Sequence, residues 1–429
     1  MAENTDRRLR NRLIYQVFVR NYGQEGSFAA LERDLNRIRA LGVDIVYLLP
    51  IHPIGEEKRK GSLGSPYAIR DYLGINPEYG TLADFTRLAD AIHEKGMKLM
   101  LDVVFNHTSP DSVLAVCHPE WFYLGADGQP VNRVVDWSDV VDLDYAHPEL
   151  WEEQIAALKY WAGYADGFRC DVAPMVPLAF WERARREVEA VHPGFIWLAE
   201  SSDPYFLWHL RASGIPASGD GELYRAFDIC YDYDVYGAMV DFLTGRGVLS
   251  AYADALNRQE AVYPENYVKL RFLENHDRER AAKLIPDAGA LRSWTAFWLF
   301  QKGMPMMYAG QEFGATRKPG LFDREPVRLA PERGVDLSPL VRVMMALKRD
   351  PIFAGGAYRV EAAEESALVA AYALMDRRTV GIFPVKGQPV RVEVPLEDGN
   401  YTDALTGQTV TVRRGAVMCD GGPVVVMGG

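Results

Sequence analysis

Over roughly its first 350 residues the chain alternates short apolar runs with stretches of helical periodicity. Residues 13–19 (LIYQVFV) and 45–49 (IVYLL) are rich in β-branched and aromatic side chains, and each predicts a strand. Between them Phe28, Leu31, Leu35, Ile38 and Leu41 recur on one helix face, and Gly42 stands where a helix closes with a left-handed residue. Thr81 and Asp84 have capping-box spacing ahead of Phe85, Leu88, Ala89 and Ile92, and Gly96 marks the stop. Further strands are predicted at 98–105, 167–170, 195–199, 226–229, 268–273 and 304–308. Eight strands alternating with helices predict an α/β fold, the (β/α)8 TIM barrel. A doubly wound open sheet is the structural rival, but no G-x-G-x-x-G follows the first strand.

The alternation breaks at residues 107–145, a stretch rich in Pro, Asp, Gly and Trp. It is too long for a barrel loop and too short for a full domain, so it predicts a small inserted excursion. The barrel then takes residues 1–106 and 146–352. Residues 353–429 change character: 366–375, 378–385 and 390–395 alternate apolar with polar positions, and 398–400 and 406–407 read as turns. This tail predicts a separate antiparallel β domain, a sandwich.

Composition narrows the class of protein. Of 429 residues 48% are hydrophobic and 25% charged, which excludes a disordered chain and allows a large core. Lys and Arg number 47 against 59 Asp and Glu, and the net charge of −12 argues against nucleic acid or an anionic membrane as partner. The four cysteines form no C-x-x-C pair, so no zinc knuckle is suggested and a reducing compartment fits. The N-terminal stretch is polar and no run of 18 apolar residues occurs, so neither signal peptide nor membrane span is expected, and the location expected is cytoplasmic.

Barrel enzymes carry their chemistry at the C-terminal ends of the strands. Here the third strand holds Asp102 and runs into Asn106-His107; the fourth offers Arg169 and Asp171; the fifth ends at Glu200; the seventh runs into His276-Asp277. The separations, 69, 29 and 77 residues between successive carboxylates, put each on a different strand in register. Paired carboxylates at one mouth suit glycoside hydrolysis, one attacking and the other protonating the departing oxygen. Arg169 and Asp171 share a strand face at i and i+2, so the guanidinium is expected to keep Asp171 ionised. Glu200 follows the apolar Ile196-Trp197-Leu198-Ala199, surroundings expected to raise its pKa.

Asp102-Val103-Val104-Phe105-Asn106-His107, Gly167-Phe168-Arg169-Cys170-Asp171, Trp197-Leu198-Ala199-Glu200 and Phe272-Leu273-Glu274-Asn275-His276-Asp277 resemble, in order, the four signature segments of the alpha-amylase family, glycoside hydrolase family 13. The resemblance covers residues 10 to 350, and the tail resembles that family's C-terminal domain. It implies Asp171 as nucleophile, Glu200 as acid/base and Asp277 as the group holding sugar hydroxyls. It further implies Arg169, His107 and His276 around the same subsite, Asp102 supporting it, and Tyr67 as a stacking tyrosine. The implied activity is retaining hydrolysis of α-1,4 bonds in maltodextrins. The alternatives are an α-glucan transglycosylase, an α-1,6- or sucrose-type glucosidase and, remotely, a non-catalytic barrel subunit.

Several positions depart from that pattern. Pro174 and Met175 stand where many starch-degrading relatives have a Lys-His pair. The short excursion resembles a reduced domain B, and Asp142-Leu143-Asp144-Tyr145 resembles a degenerate fifth segment. No cofactor is expected. The first loop, Arg20-Asn21-Tyr22-Gly23-Gln24-Glu25-Gly26, lacks a D-x-N-x-D calcium pattern, while a structural calcium site using Asn106 is left open. The partner expected is an α-glucan oligosaccharide. No added N-terminal β domain precedes the barrel, so the dimer such a domain mediates is not expected; monomer and another homo-oligomer both fit.

Overall fold

A computed structural model describes residues 4–134 and 136–428. Residues 1–3 of the expected barrel, Val135 of the excursion and Gly429 of the tail lie outside them. Eight parallel strands close a barrel: β1 (Ile14–Val17), β2 (Ile45–Leu48), β3 (Lys98–Val103), β4 (Gly167–Cys170), β5 (Ile196–Ala199), β6 (Ile229–Tyr231), β7 (Val268–Arg271) and β8 (Met304–Tyr308). Each pairs with its neighbours in sequence, and Met306 of β8 opposite Ile14 of β1 completes the ring. The helices form as their capping signals require. Ser27 accepts from Ala30 N ahead of Phe28–Ala40, and Gly42 follows with φ +90°. The Thr81–Asp84 capping box is complete, with Gly96 at φ +67° beyond the helix end.

The sixth strand starts three residues later than expected. The amides of Ala226 and Phe227 bond back to Leu223 O, finishing a helical turn. Asp228 N donates to Trp197 O, but the Asp228 side chain takes the Trp197 N–H and pairs with Arg185, and the regular ladder begins at Ile229. The first, third and seventh strands end two residues short of the apolar runs. Past their ends the side chains stay buried, but the backbone turns into loops.

The excursion carries one short antiparallel pair, His107–Thr108 with Val141–Asp142. The tail is antiparallel throughout. Ala357–Ala363, Ala367–Leu374, Arg377–Pro384 and Val424–Met427 form one sheet, and two two-stranded sheets lie beside it. Gly399 and Asn400, expected in a turn, open the strand Gly399–Thr402, which pairs with Thr409–Val412. The run ALVAAYAL is apolar at nearly every position because both of its faces are covered. Ala367 and Val369 join Val380, Ile382 and Val392 inside the tail, while Leu368, Ala370 and Tyr372 face the barrel. There the Tyr372 hydroxyl donates to Phe300 O at 3.0 Å, pinning the two units. All four cysteines are free, and no helix among the described residues is long and apolar enough to cross a membrane.

Candidate active site

The barrel register sets the site. Asp102 of β3 lies opposite Arg169 of β4. Asp171 and Glu200 each stand one residue past a strand end, with their amides still bonded to the neighbouring strand, Asp171 N to Val103 O and Glu200 N to Cys170 O. Both carboxylates are thus held by rigid backbone at the C-terminal rim.

Arg169, fully buried, is the hub. Its Nη1 donates to Asp102 Oδ1 at 2.8 Å and to Asp171 Oδ1 at 2.7 Å. Its Nη2 lies 2.8 Å from Glu200 Oε1, an ion pair whose N–H is not aimed along the contact. Glu200 Oε2 accepts from Val172 N at 2.9 Å, and Val172 holds a left-handed φ of 40°, unusual for a β-branched residue. One guanidinium therefore faces three carboxylates. Burial raises Asp102 to about 6 against the pull of Arg169. Burial and then Glu200 push Asp171 well above the usual carboxylate range, with Arg169 opposing. That corrects the expectation that Arg169 would hold Asp171 low: the arginine is shared with Asp102 and Glu200.

Tyr67 lies with its ring stacked on His276, centroids 5.5 Å apart, and its hydroxyl reaches Asp102 Oδ2 at 3.1 Å and His276 Nε2 at 2.7 Å. Gln16 Nε2 donates to His276 Nδ1 at 3.1 Å, which leaves the ring proton on Nε2, 3.0 Å from Asp277 Oδ2. Burial first, then Arg169, depress His276 to about 3, so it is a neutral donor. Burial likewise depresses His107, whose ring lies 5.5 Å from that of Trp137. All eight residues singled out from the sequence meet here. Tyr67, His107, Asp171, Glu200, His276 and Asp277 line one cavity of about 370 Å³, with Arg169 and Asp102 behind it.

Sequence reasoning missed Lys60, Trp137, Asp139, Leu321 and Phe322, which also line that cavity. They lie in loops without a periodic signal. Gln16, and Tyr47, whose hydroxyl donates to Asp102 Oδ2 at 2.5 Å, were also missed, although a polar position inside the run LIYQVFV was a visible flag. A larger recess of about 680 Å³ lies at the opposite, N-terminal end of the barrel; its Arg12–Asp44 and Arg185–Asp228 charges are already paired and it holds none of the converging carboxylates.

The residues at Asn106 do not fit a calcium ion. Asn106 Oδ1 accepts from Arg133 Nη2 at 3.1 Å, and Arg133 Nε donates to Asp142 Oδ2 at 2.8 Å, so a fixed guanidinium stands among these oxygens. Only Asp142 Oδ1 is left without a partner, where calcium takes about 6–8 oxygens. Among the described residues no cluster of His, Cys, Asp and Glu is arranged to hold a metal.

A closed parallel barrel with an acidic C-terminal rim and an appended β domain defines the class. Residues 13–115 match the alpha amylase catalytic domain and residues 359–426 the bacterial alpha amylase C-terminal domain. The chain superposes on the crystal structure of an alpha-amylase from Lactobacillus plantarum with a TM-score of 0.95 and 49% identity, covering 98% of this chain and 100% of that one. It is 30% identical to alpha-amylase MalA of Haloarcula japonica, over 70% of this chain and 44% of that protein. It is 33% identical to an alpha-1,4-glucan:maltose-1-phosphate maltosyltransferase of Salinibacter ruber, over 48% of this chain and 36% of that protein. The chain thus spans less than half the length of these two curated relatives. It belongs to the alpha-amylase family.

Proposed function

We propose that the protein is a retaining glycoside hydrolase acting on α-1,4 bonds of maltodextrins. Asp171 attacks the anomeric carbon while Glu200 gives its proton to the departing oxygen; a glycosyl ester on Asp171 results. Glu200, now a base, takes a proton from water, whose oxygen displaces Asp171 and frees the sugar. The observation that carries this reading is the single guanidinium that hydrogen-bonds Asp171 and ion-pairs with Glu200 through adjacent nitrogens. A covalent mechanism needs the two carboxyl groups ~5–5.5 Å apart, and an inverting one ~6.5–9.5 Å. Asp277, 40% exposed and backed by neutral His276, is placed to accept from sugar hydroxyls; Tyr67 offers a ring face beside it.

The test uses an α-maltosyl fluoride, whose leaving group needs little protonation. Glu200→Gln is expected to form a covalent adduct mapped to Asp171 and to retain it, because no base activates water; Asp171→Asn is expected to form none. Turnover of natural substrate by Glu200→Gln should fall at least ~10²–10⁴-fold. An adduct on Glu200, or full activity in either variant, refutes the roles. A panel of malto-oligosaccharides, pullulan, isomaltose and sucrose decides linkage. Transfer to a sugar acceptor is the second reading, favoured by the relative named as a maltosyltransferase. It runs through the same intermediate, and the ratio of transfer to hydrolysis products with added maltose measures it.

A further inference from the structure

The mouth of the cavity is walled on one side by three loops tied together. Lys60, in the loop after β2, has its ammonium 2.7 Å from Asp139 Oδ1 of the excursion, and it donates to Asp136 O at 3.1 Å. The same ammonium lies 5.9 Å from the ring centre of Phe322, in the loop after β8. Beside it Ser62 N and Oγ both donate to Asp323 Oδ1, at 2.9 and 2.6 Å, and Leu63 N donates to Phe322 O at 3.0 Å.

Arg20, in the loop after β1 that offered no calcium pattern, anchors this seam from below. Its side chain is fully buried. Nη1 donates to Gly64 O at 2.8 Å and to Leu321 O at 2.7 Å, and Nε donates to both oxygens of Glu78 at 3.0 Å. A buried guanidinium holding the carbonyls of both flanking loops makes the wall a fixed part of the barrel rather than a lid, since opening it would strand a buried charge.

The wall has a definite place relative to the proposed chemistry. In the closed ring β5 stands opposite β1, so Glu200 and the loops after β8, β1 and β2 occupy opposite sides of the mouth. An acid at Glu200 protonates the leaving oxygen, and the departing part of the chain therefore extends over β5. Sugar units beyond the reacting one on the other side would have to run through Lys60, Asp139 and Phe322. The cavity itself, about 370 Å³, is at the small end of the ~300–1,000 Å³ of ligand pockets.

We propose that the Lys60–Asp139 pair over Phe322 is an end-stop: it limits the glycone side of the site, so that the enzyme accepts only the free non-reducing end of an α-glucan. This rests on the hydrolytic reading of the site given above. The experiment compares two malto-oligosaccharides of equal length, one with its non-reducing end free and one with that end capped as the 4,6-ethylidene acetal. Products are followed directly by chromatography. Wild-type enzyme is expected to cleave the free-ended chain and to discriminate against the capped one by ~100-fold or more in kcat/KM. Lys60→Ala should raise the ratio of kcat/KM on the capped chain to that on the free-ended chain about tenfold. Asp139→Asn, which keeps the shape and removes the charge, should shift the ratio the same way. Equal cleavage of both chains by the wild type overturns the end-stop. So does loss of free-ended activity in Lys60→Ala with no gain on the capped chain, which would make Lys60 a sugar contact. No product from either chain with wild-type enzyme overturns the hydrolytic reading itself and the end-stop with it.

Discussion

Replacing Arg133 tests whether a side-chain cation does the structural work that a bound metal would do between excursion and barrel. Its guanidinium touches Asn106 at the exit of β3, Asp142 on the short ladder and, at 4.2 Å, the ring of Tyr123. The Asp142 carboxylate is wholly buried and Arg133 is 16% exposed. Arg133→Met keeps most of the aliphatic packing but leaves that carboxylate without its counter-ion. Breaking a buried pair from one side costs ~3–5 kcal/mol, and the partial exposure of Arg133 puts the expectation at the lower end, about 3 kcal/mol. With an unfolding entropy of roughly 2.1 cal/mol/K per residue, a chain of this size loses about 3 °C in Tm if it unfolds as one unit. Adding Asp142→Asn removes the orphaned charge, so the double variant should recover part of the loss. Calorimetry of wild type, both single variants and the double variant completes the cycle. Each is measured with chelator and with millimolar calcium, and neither addition should move the wild-type Tm or its activity. A change below about 0.5 kcal/mol in Arg133→Met, strict additivity, or a wild-type Tm that falls in chelator and returns with calcium refutes the reasoning.

Other expectations follow from single groups. Burial depresses His52 to about 4, against the ordinary 6.5, so the folded state disfavours its charged form. Its stabilising effect is complete above pH 6.5 and is lost as pH falls towards 4, by about 3 kcal/mol in all. Urea midpoints of wild type and His52→Gln should therefore converge over that window; parallel curves would refute the assignment. Gly303 has φ +143°, and a Cβ there would lie 2.5 Å from Lys269 O, so Gly303→Ala should cost at least ~2 kcal/mol by thermal unfolding, and a neutral result would mean that the β7–β8 junction relaxes freely. Trp137 packs on His107 and lines the cavity, so Trp137→Ala should raise KM about tenfold or more with kcat changed less; an unchanged KM removes it from the binding surface.

What the sequence disclosed and what it hid divide along one physical line. The barrel was legible because each strand is covered on both sides and so reads as an apolar run, and because caps such as Thr81–Asp84 and Ser27 act within one turn. The sixth strand was misplaced because Ala226-Phe227-Asp228-Ile229 is as apolar as a strand. Its fate was decided by Arg185 and Trp197, residues 30 or more positions away. The carboxylates were legible for a related reason: position at a strand end is a local property, and barrel closure converts it into convergence. The upward shift of Asp171 was not legible. The i, i+2 argument placed Arg169 on Asp171, but the charge of Arg169 is divided with Asp102 from β3 and Glu200 from β5, a sharing that exists only once three strands stand side by side. The loops that bound the cavity carry no periodicity, and their geometry comes from contacts such as Arg20 with Leu321, 301 residues apart. Reaction type thus follows from residues whose placement is local. Which chain end, chain length or acceptor is taken follows from loops whose placement is not.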